Sequence, residues 1–142
     1  MSFPLNHAVC QSGVLPYRYQ NDELQILLIT SRGRKRWIIP KGFIESDITP
    51  CESAINEAYE EAGIRGEVDE TPFGKYSYSK WDQRFNVHIY PMHVTEELPD
   101  WPEKPCRTRI WVSFDNAIGY IKNSNLLALI RSFERSRFLN EH

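Results

Sequence analysis

A mixed α/β domain is the fold class that this sequence predicts. The apolar run LQILLIT at 24–30 reads as a strand, 49–63 carries the start and stop signals of a helix, and 74–94 reads as two extended segments. Short hairpins near the start argue against a uniform strand–helix–strand repeat, and no glycine-rich dinucleotide motif or phosphate loop is present. The length of 142 residues leads to the expectation of one domain over 1–142.

Residues 8–19 read as extended, and Pro16 points to an edge strand or a bulge, because proline cannot donate to a ladder. Asn21 and Asp22 supply a turn into the strand at 24–30. The basic loop SRGRKR follows, and Trp37, Ile38 and Ile39 then lead into Pro40-Lys41-Gly42. A helix is predicted from Pro50: Thr49 caps it, proline suits its first turn, and Glu52 completes a capping box. Gly63 ends it. Cys51, Ala54, Ile55, Ala58, Tyr59 and Ala62 form its packing face, while Glu57, Glu60 and Glu61 gather on the other side.

Residues 74–81 and 84–94 are extended and joined near Asp82-Gln83, with Phe85, Val87 and Ile89 on one face. Pro91 again points to an edge or a distortion. Three prolines make 96–105 a loop, and 109–114 is a short strand. The last helix, 124–138, buries Leu126, Leu129, Ile130 and Phe133.

Composition narrows the partners. Seventeen basic and nineteen acidic side chains leave a net charge of -2, which offers no global attraction for nucleic acid or an anionic membrane. Neither a specific nucleic-acid partner nor a membrane partner is expected, and the oligomeric state is not predicted. Cys10, Cys51 and Cys106 match no paired thiolate spacing and are expected to be reduced. The start lacks a basic segment followed by an apolar run, and no stretch nears the roughly 18 apolar residues of a membrane span. The expected location is the cytoplasm.

The segment at 42–64, GFIESDITPCESAINEAYEEAGI, carries the chemistry. Three glutamates on one helical face repel one another by a few tenths of a kcal/mol per pair. A solvated acidic face would tolerate this, whereas a hard divalent cation would relieve it. Mg²⁺ takes carboxylate, carbonyl and water oxygens and keeps waters while it binds substrate phosphates. A main-chain carbonyl of the Pro40-Lys41-Gly42 turn, with Lys41 as its source, could add one more oxygen.

This segment resembles the Nudix box, G-x5-E-x7-R-E-U-x-E-E-x-G-U, where U is bulky and apolar. Gly42, Glu57, Glu60, Glu61, Gly63 and Ile64 match at the required spacing, and Ala58 is a small substitute for U. The resemblance runs over about 8–138. WIIPKGFIE is similar to the entry of diadenosine-polyphosphate and diphosphoinositol-polyphosphate hydrolases, and VTEELPDW and WVSFDNAI are similar to the latter branch.

The resemblance implies an α/β/α sandwich with a mixed sheet and water-driven cleavage of a phosphoanhydride with Mg²⁺ or Mn²⁺. By resemblance, Glu57 and Glu61 are the catalytic, metal-binding pair, and Glu60 is a further ligand or acts through water. The substrate implied is a phosphorylated small molecule: a nucleoside polyphosphate, a dinucleoside polyphosphate or a diphosphoinositol polyphosphate. Arg32, Arg34, Lys35 and Arg36 are candidates to hold its phosphates, with Lys41 and Gly42 at the turn. Arg18 is added because the resembling branch places basic side chains near this early strand.

Two positions depart from the pattern. Ile48 stands where the box has its first glutamate, and Asn56 where it has an arginine that orients the catalytic glutamate through a charged contact. Asparagine can hydrogen-bond but lacks that charge and reach. The departures keep open a second reading, a catalytically weak phosphate-ligand-binding protein of the same fold.

Overall fold

The computed structural model describes residues 7–141. Its strands are β1 (Val9–Gln20), β2 (Glu23–Thr30), β3 (Trp37–Ile38), β4 (Lys41–Phe43), β5 (Ile64–Val68), β6 (Gly74–Lys80), β7 (Gln83–Glu97) and β8 (Arg109–Ser113). The helices are α1 (Pro50–Glu57), which continues as a π turn over Ala58–Ala62, then α2 (Phe114–Tyr120) and α3 (Ser124–Glu141). A short 3₁₀ turn, Lys104–Cys106, precedes β8. β5 and α2 are additions to the elements expected from sequence. IRGEV lacks an apolar run to mark a strand, and α2 is only seven residues long.

All eight strands join one mixed sheet, in which β1 and β7 run parallel through the centre and every other pairing is antiparallel. Of the two alternatives that each proline left open, neither is a sheet edge; both prolines fall at an interruption of a ladder. Pro16 falls where β1 changes its antiparallel neighbour, from β4 at Gln11, Ser12 and Gly13 to β2 from Tyr17 onward. Pro91 falls where β7 passes from β6, paired up to Ile89, to β5, paired from Met92. The two prolines are offset by one register step, as Leu15 lies opposite Pro91 and Pro16 opposite Met92. A residue without an N–H costs least at such an interval, where the ladder on one side is already broken.

Alternation along the central strands builds two cores. Leu15, Ile26, Leu28, Val87 and Ile89 face α2 and α3 and meet Phe114, Leu126, Leu129, Ile130 and Phe133. Val14, Leu27, Ile29 and Met92 face the other way, onto Ala54, Ala58 and Ala62. The result is the expected α/β/α sandwich. Full burial of each such large side chain contributes about 1.5–3 kcal/mol.

The local signals of α1 are realised in full. The Thr49 hydroxyl accepts from the Glu52 N–H, the Glu52 carboxylate accepts from the Thr49 N–H, and Gly63 takes φ +63° at the end. Its fully buried alanines let the helix lie close against the sheet, while Ile55, expected on the packing face, is exposed. That close approach brings Glu57 and Glu61 down onto β4. The cysteines are free, and no helix among the described residues is long and apolar enough to cross a membrane.

Candidate active site

Glu57 ends α1, and Glu61 lies in the π turn that follows, a wider turn than the simple helical spacing predicts. Single π turns within helices are frequent at functional sites. The two carboxyl groups lie close enough for each to govern the other's proton. Burial, then the charge of Glu61, pushes the Glu57 carboxyl up to about 8. Burial also raises Glu61, opposed chiefly by the Arg107 guanidinium. Glu60 stays exposed, and its charge adds to the cost of ionising Glu57.

β4 supplies the floor. The Lys41 N–H donates to Glu61 Oε1 at 3.2 Å. Gly42 leaves room above it for Glu57, whose carboxylate occupies the space a Cβ would need. The Pro40 carbonyl is committed to the sheet and accepts from the Val14 N–H at 3.1 Å. Directly opposite Gly42 in the ladder, and so on the same face, stands Ser12. Its buried hydroxyl oxygen has no protein partner.

The loop between β7 and β8 fixes the end of the π turn. Four successive carbonyls, orphaned as at any helix end, find donors in that loop and at the start of β8. Glu60 accepts from the Glu103 N–H at 3.0 Å, and Glu61 accepts from Trp101 Nε1 at 3.0 Å. Ala62 accepts from Arg109 Nη1 at 2.8 Å, and Gly63 accepts from the Leu98 N–H at 2.8 Å. Arg107, 7% exposed, approaches Glu61 Oε2 to 3.5 Å and donates to Glu103 at 2.8 Å.

The residues present fit a hard divalent cation. A half-buried and a buried carboxylate that resist joint ionisation, a glycine floor that admits Glu57 and an unpartnered hydroxyl on the same face all favour a positive group there. Among the described residues, no group of three or more His, Cys, Asp or Glu side chains could hold a metal ion by itself. Glu57 and Glu61 would therefore leave most coordination positions to main-chain, water and substrate oxygens, a division that suits Mg²⁺.

Beside the pair opens a cavity of about 900 Å³. Among the described residues its lining has seven basic side chains, Arg32, Arg36, Lys41, Lys80, Arg84, Arg107 and Lys122, against one acidic, Glu61. Burial lowers the Lys41 ammonium from its ordinary range. Of the sequence candidates, Arg32, Arg36 and Lys41 reach the cavity, and Gly42 lies under Glu57.

Three candidates are placed elsewhere. Arg34 pins the neighbouring loop, donating to Thr108 Oγ1 at 2.6 Å and to the Pro105 carbonyl at 3.1 Å. Lys35 is exposed and outside the lining. Arg18 sits at the far end of β1, where it donates to Gln25, lies 3.6 Å from Glu97 and covers the Trp111 ring. Arg18 thus lies outside the cavity lining: five residues of extended strand beyond Gly13 carry it roughly 17 Å from the glutamate pair.

Sequence reasoning missed Trp101, Glu103, Arg107, Arg109 and Lys122. For all but Lys122 the available signal was the run DWPEKPCRTR, which sets an aromatic and two arginines beside two prolines.

Residues 12–131 match the model of the NUDIX domain. Over 127 residues the chain is 34% identical to Nudix hydrolase 21, chloroplastic, of Arabidopsis thaliana, with 85% of this chain and 64% of that protein covered. It is 31% identical over 114 residues to diphosphoinositol polyphosphate phosphohydrolase 3-beta of Homo sapiens, covering 79% of this chain and 68% of that one. The chain thus spans just under two thirds of the plant relative. In structure it is similar to the C. elegans Ap4A hydrolase binary complex, with a TM-score of 0.77, 22% identity and coverage of 95% of this chain and 100% of that chain.

Proposed function

Because the chain belongs to the Nudix family, we propose that it hydrolyses a phosphoanhydride bond in a phosphorylated small molecule, with Mg²⁺ or Mn²⁺ as cofactor. One observation carries this reading: Glu57, lying over Gly42, and Glu61, held by the Lys41 N–H, stand beside a cavity whose described lining has seven basic side chains and one acidic. That ratio favours a substrate with several phosphates. The class spans nucleoside polyphosphates, dinucleoside polyphosphates and diphosphoinositol polyphosphates, and the proposed location is the cytoplasm.

Glu57 and Glu61 would hold the cation. When bound, it supplies charge neutralisation at phosphate oxygens and a lowered pKa for a coordinated water. Beside that cation, Glu57 would help to orient the attacking water. Arg36, Lys80, Arg84 and Lys122 hold phosphate groups in the cavity, and Lys41 adds its ammonium close to Glu61. The aromatic rings nearby are engaged with one another: Tyr78 stacks on Phe85 at 4.9 Å and carries Lys41 at 4.7 Å, and Trp37 meets Tyr120 edge-on. Recognition would therefore come mainly from phosphate charge.

The test is release of phosphate and nucleotide from a panel of phosphoanhydrides, with Mg²⁺ and with chelator. Metal-dependent turnover of at least one member is expected. Folded protein that turns over none of them defeats the reading. Saturable binding without turnover would instead support the weak, ligand-binding alternative that the uncharged Ile48 and Asn56 keep open.

A further inference from the structure

We propose that Arg107 is the positioning residue that holds the Glu61 carboxylate in its working orientation, from the loop between β7 and β8. The inference rests on the hydrolase reading above, since it assigns Glu61 a part in turnover.

A charged side chain only 7% exposed is costly, by several kcal/mol, unless paired. Arg107 is paired on every side. Nη1 donates to the Thr30 carbonyl at 2.9 Å, and Nε and Nη2 donate to Glu103 Oε1 at 3.1 and 2.8 Å. Nη2 also lies 3.5 Å from Glu61 Oε2. The other oxygen of Glu61 accepts from the Lys41 N–H, so the carboxylate is held from β4 on one side and from Arg107 on the other.

Among the described residues, Arg107 is the only basic side chain within ion-pair distance of Glu57, Glu60 or Glu61. Asn56, on the same helix, is exposed and brings no charge. The loop is also tied to the helix end, through Glu103 N–H to the Glu60 carbonyl, so clamp and carboxylate form one unit. Arginine suits this role because its planar fork serves several acceptors at once, whereas lysine offers a compact point charge. The ion pair and the fixed donors also set Arg107 apart from the exposed Arg36, Lys80 and Arg84, which are placed to take phosphate.

The experiment compares R107Q, R107K, E61Q and the double variant E61Q/R107Q with the wild type, in steady-state kinetics and in crystal structures. Positioning predicts that R107Q lowers kcat by about 10–100-fold, the scale for losing a residue that orients a metal ligand. KM for substrate should change by less than about threefold, and R107K should recover part of kcat. The double variant should fall no further than E61Q, because residues that act through one another are not additive. The crystal structure of R107Q should show the Glu61 carboxylate turned away from the Lys41 N–H.

A rise in KM at unchanged kcat, or losses that multiply in the double variant, would make Arg107 a phosphate anchor and overturn the proposal. An unmoved Glu61 in the R107Q crystal would overturn it as well. If R107Q does not fold, R107K keeps the charge and decides by the same kinetic split. A wild type without turnover defeats the functional reading alone, since the position of Glu61 in R107Q or R107K still decides the role of Arg107.

Discussion

Glu57 lays its carboxylate where Gly42 has no side chain, so that a Cβ at position 42 and the carboxylate of Glu57 compete for one space. The glycine is therefore a statement about the glutamate. Any side chain at 42 must push the carboxylate off the floor of the site, whereas the flexible end of Glu57 can move without disturbing the sheet.

Gly42→Ala should for this reason separate activity from stability. We expect turnover to drop by at least about 10-fold, on the scale seen when a metal ligand loses its orientation. The melting temperature should shift by only a few degrees, because the colliding atoms belong to a flexible side chain. Activity within twofold of wild type would show that the placement of Glu57 over Gly42 does not matter.

How much of this was legible in the sequence differs by element. The signals of α1 are local: Thr49, Pro50, Glu52 and Gly63 act on their own neighbours, and all of them are realised. Pro16 and Pro91 announced an irregularity without saying which, because a proline's cost depends on which ladder faces its missing N–H. That is a property of the assembled sheet. The clustering of Glu57, Glu60 and Glu61 was legible for the same local reason as the helix, while the choice of Glu57 and Glu61 among them came from the resemblance. Arg107, Trp101 and Glu103 were not legible, since they reach the site from a loop some 40 residues later in the chain. For Arg18 the strand was legible but its register was not: it pairs opposite Gln25, at the end of β1 away from the glutamate pair.

The raised Glu57 predicts an unusual pH dependence in the absence of metal. A carboxyl whose folded pKa lies above its unfolded value keeps a proton that the unfolded chain has already lost. Stability from this pair is therefore greatest at acid pH and is lost as pH rises from about 4.5 towards about 8. In chelator, the melting temperature at pH 6 should exceed that at pH 8.5, and Glu57→Gln should flatten the difference. A wild-type melting temperature that rises over this interval, with an equally steep rise in Glu57→Gln, would remove the account of the pair.

Gly63 carries a purely structural prediction. It adopts φ +63°, and a Cβ there would press on the Trp101 ring at 2.8 Å. Gly63→Ala should destabilise the fold by about 1–3 kcal/mol, from backbone strain and crowding together. Urea unfolding measures it, and a loss below about 0.5 kcal/mol would mean that the ring and the turn give way freely.

Glu61→Gln, compared with Glu52→Gln at saturating Mg²⁺, tests the central claim most directly. Glu61→Gln keeps the side-chain shape and removes a charged oxygen from the metal-holding pair. Glu52→Gln removes the same charge from a cap whose amide oxygen can still accept from the Thr49 N–H. On a phosphoanhydride that the wild type cleaves, turnover by Glu61→Gln should fall at least about 100-fold, the scale of losing a charged group at a reacting centre. Glu52→Gln should retain most of its activity, and both variants should melt within a few degrees of wild type in chelator. A folded Glu61→Gln protein with nearly full turnover would contradict the assignment of the site.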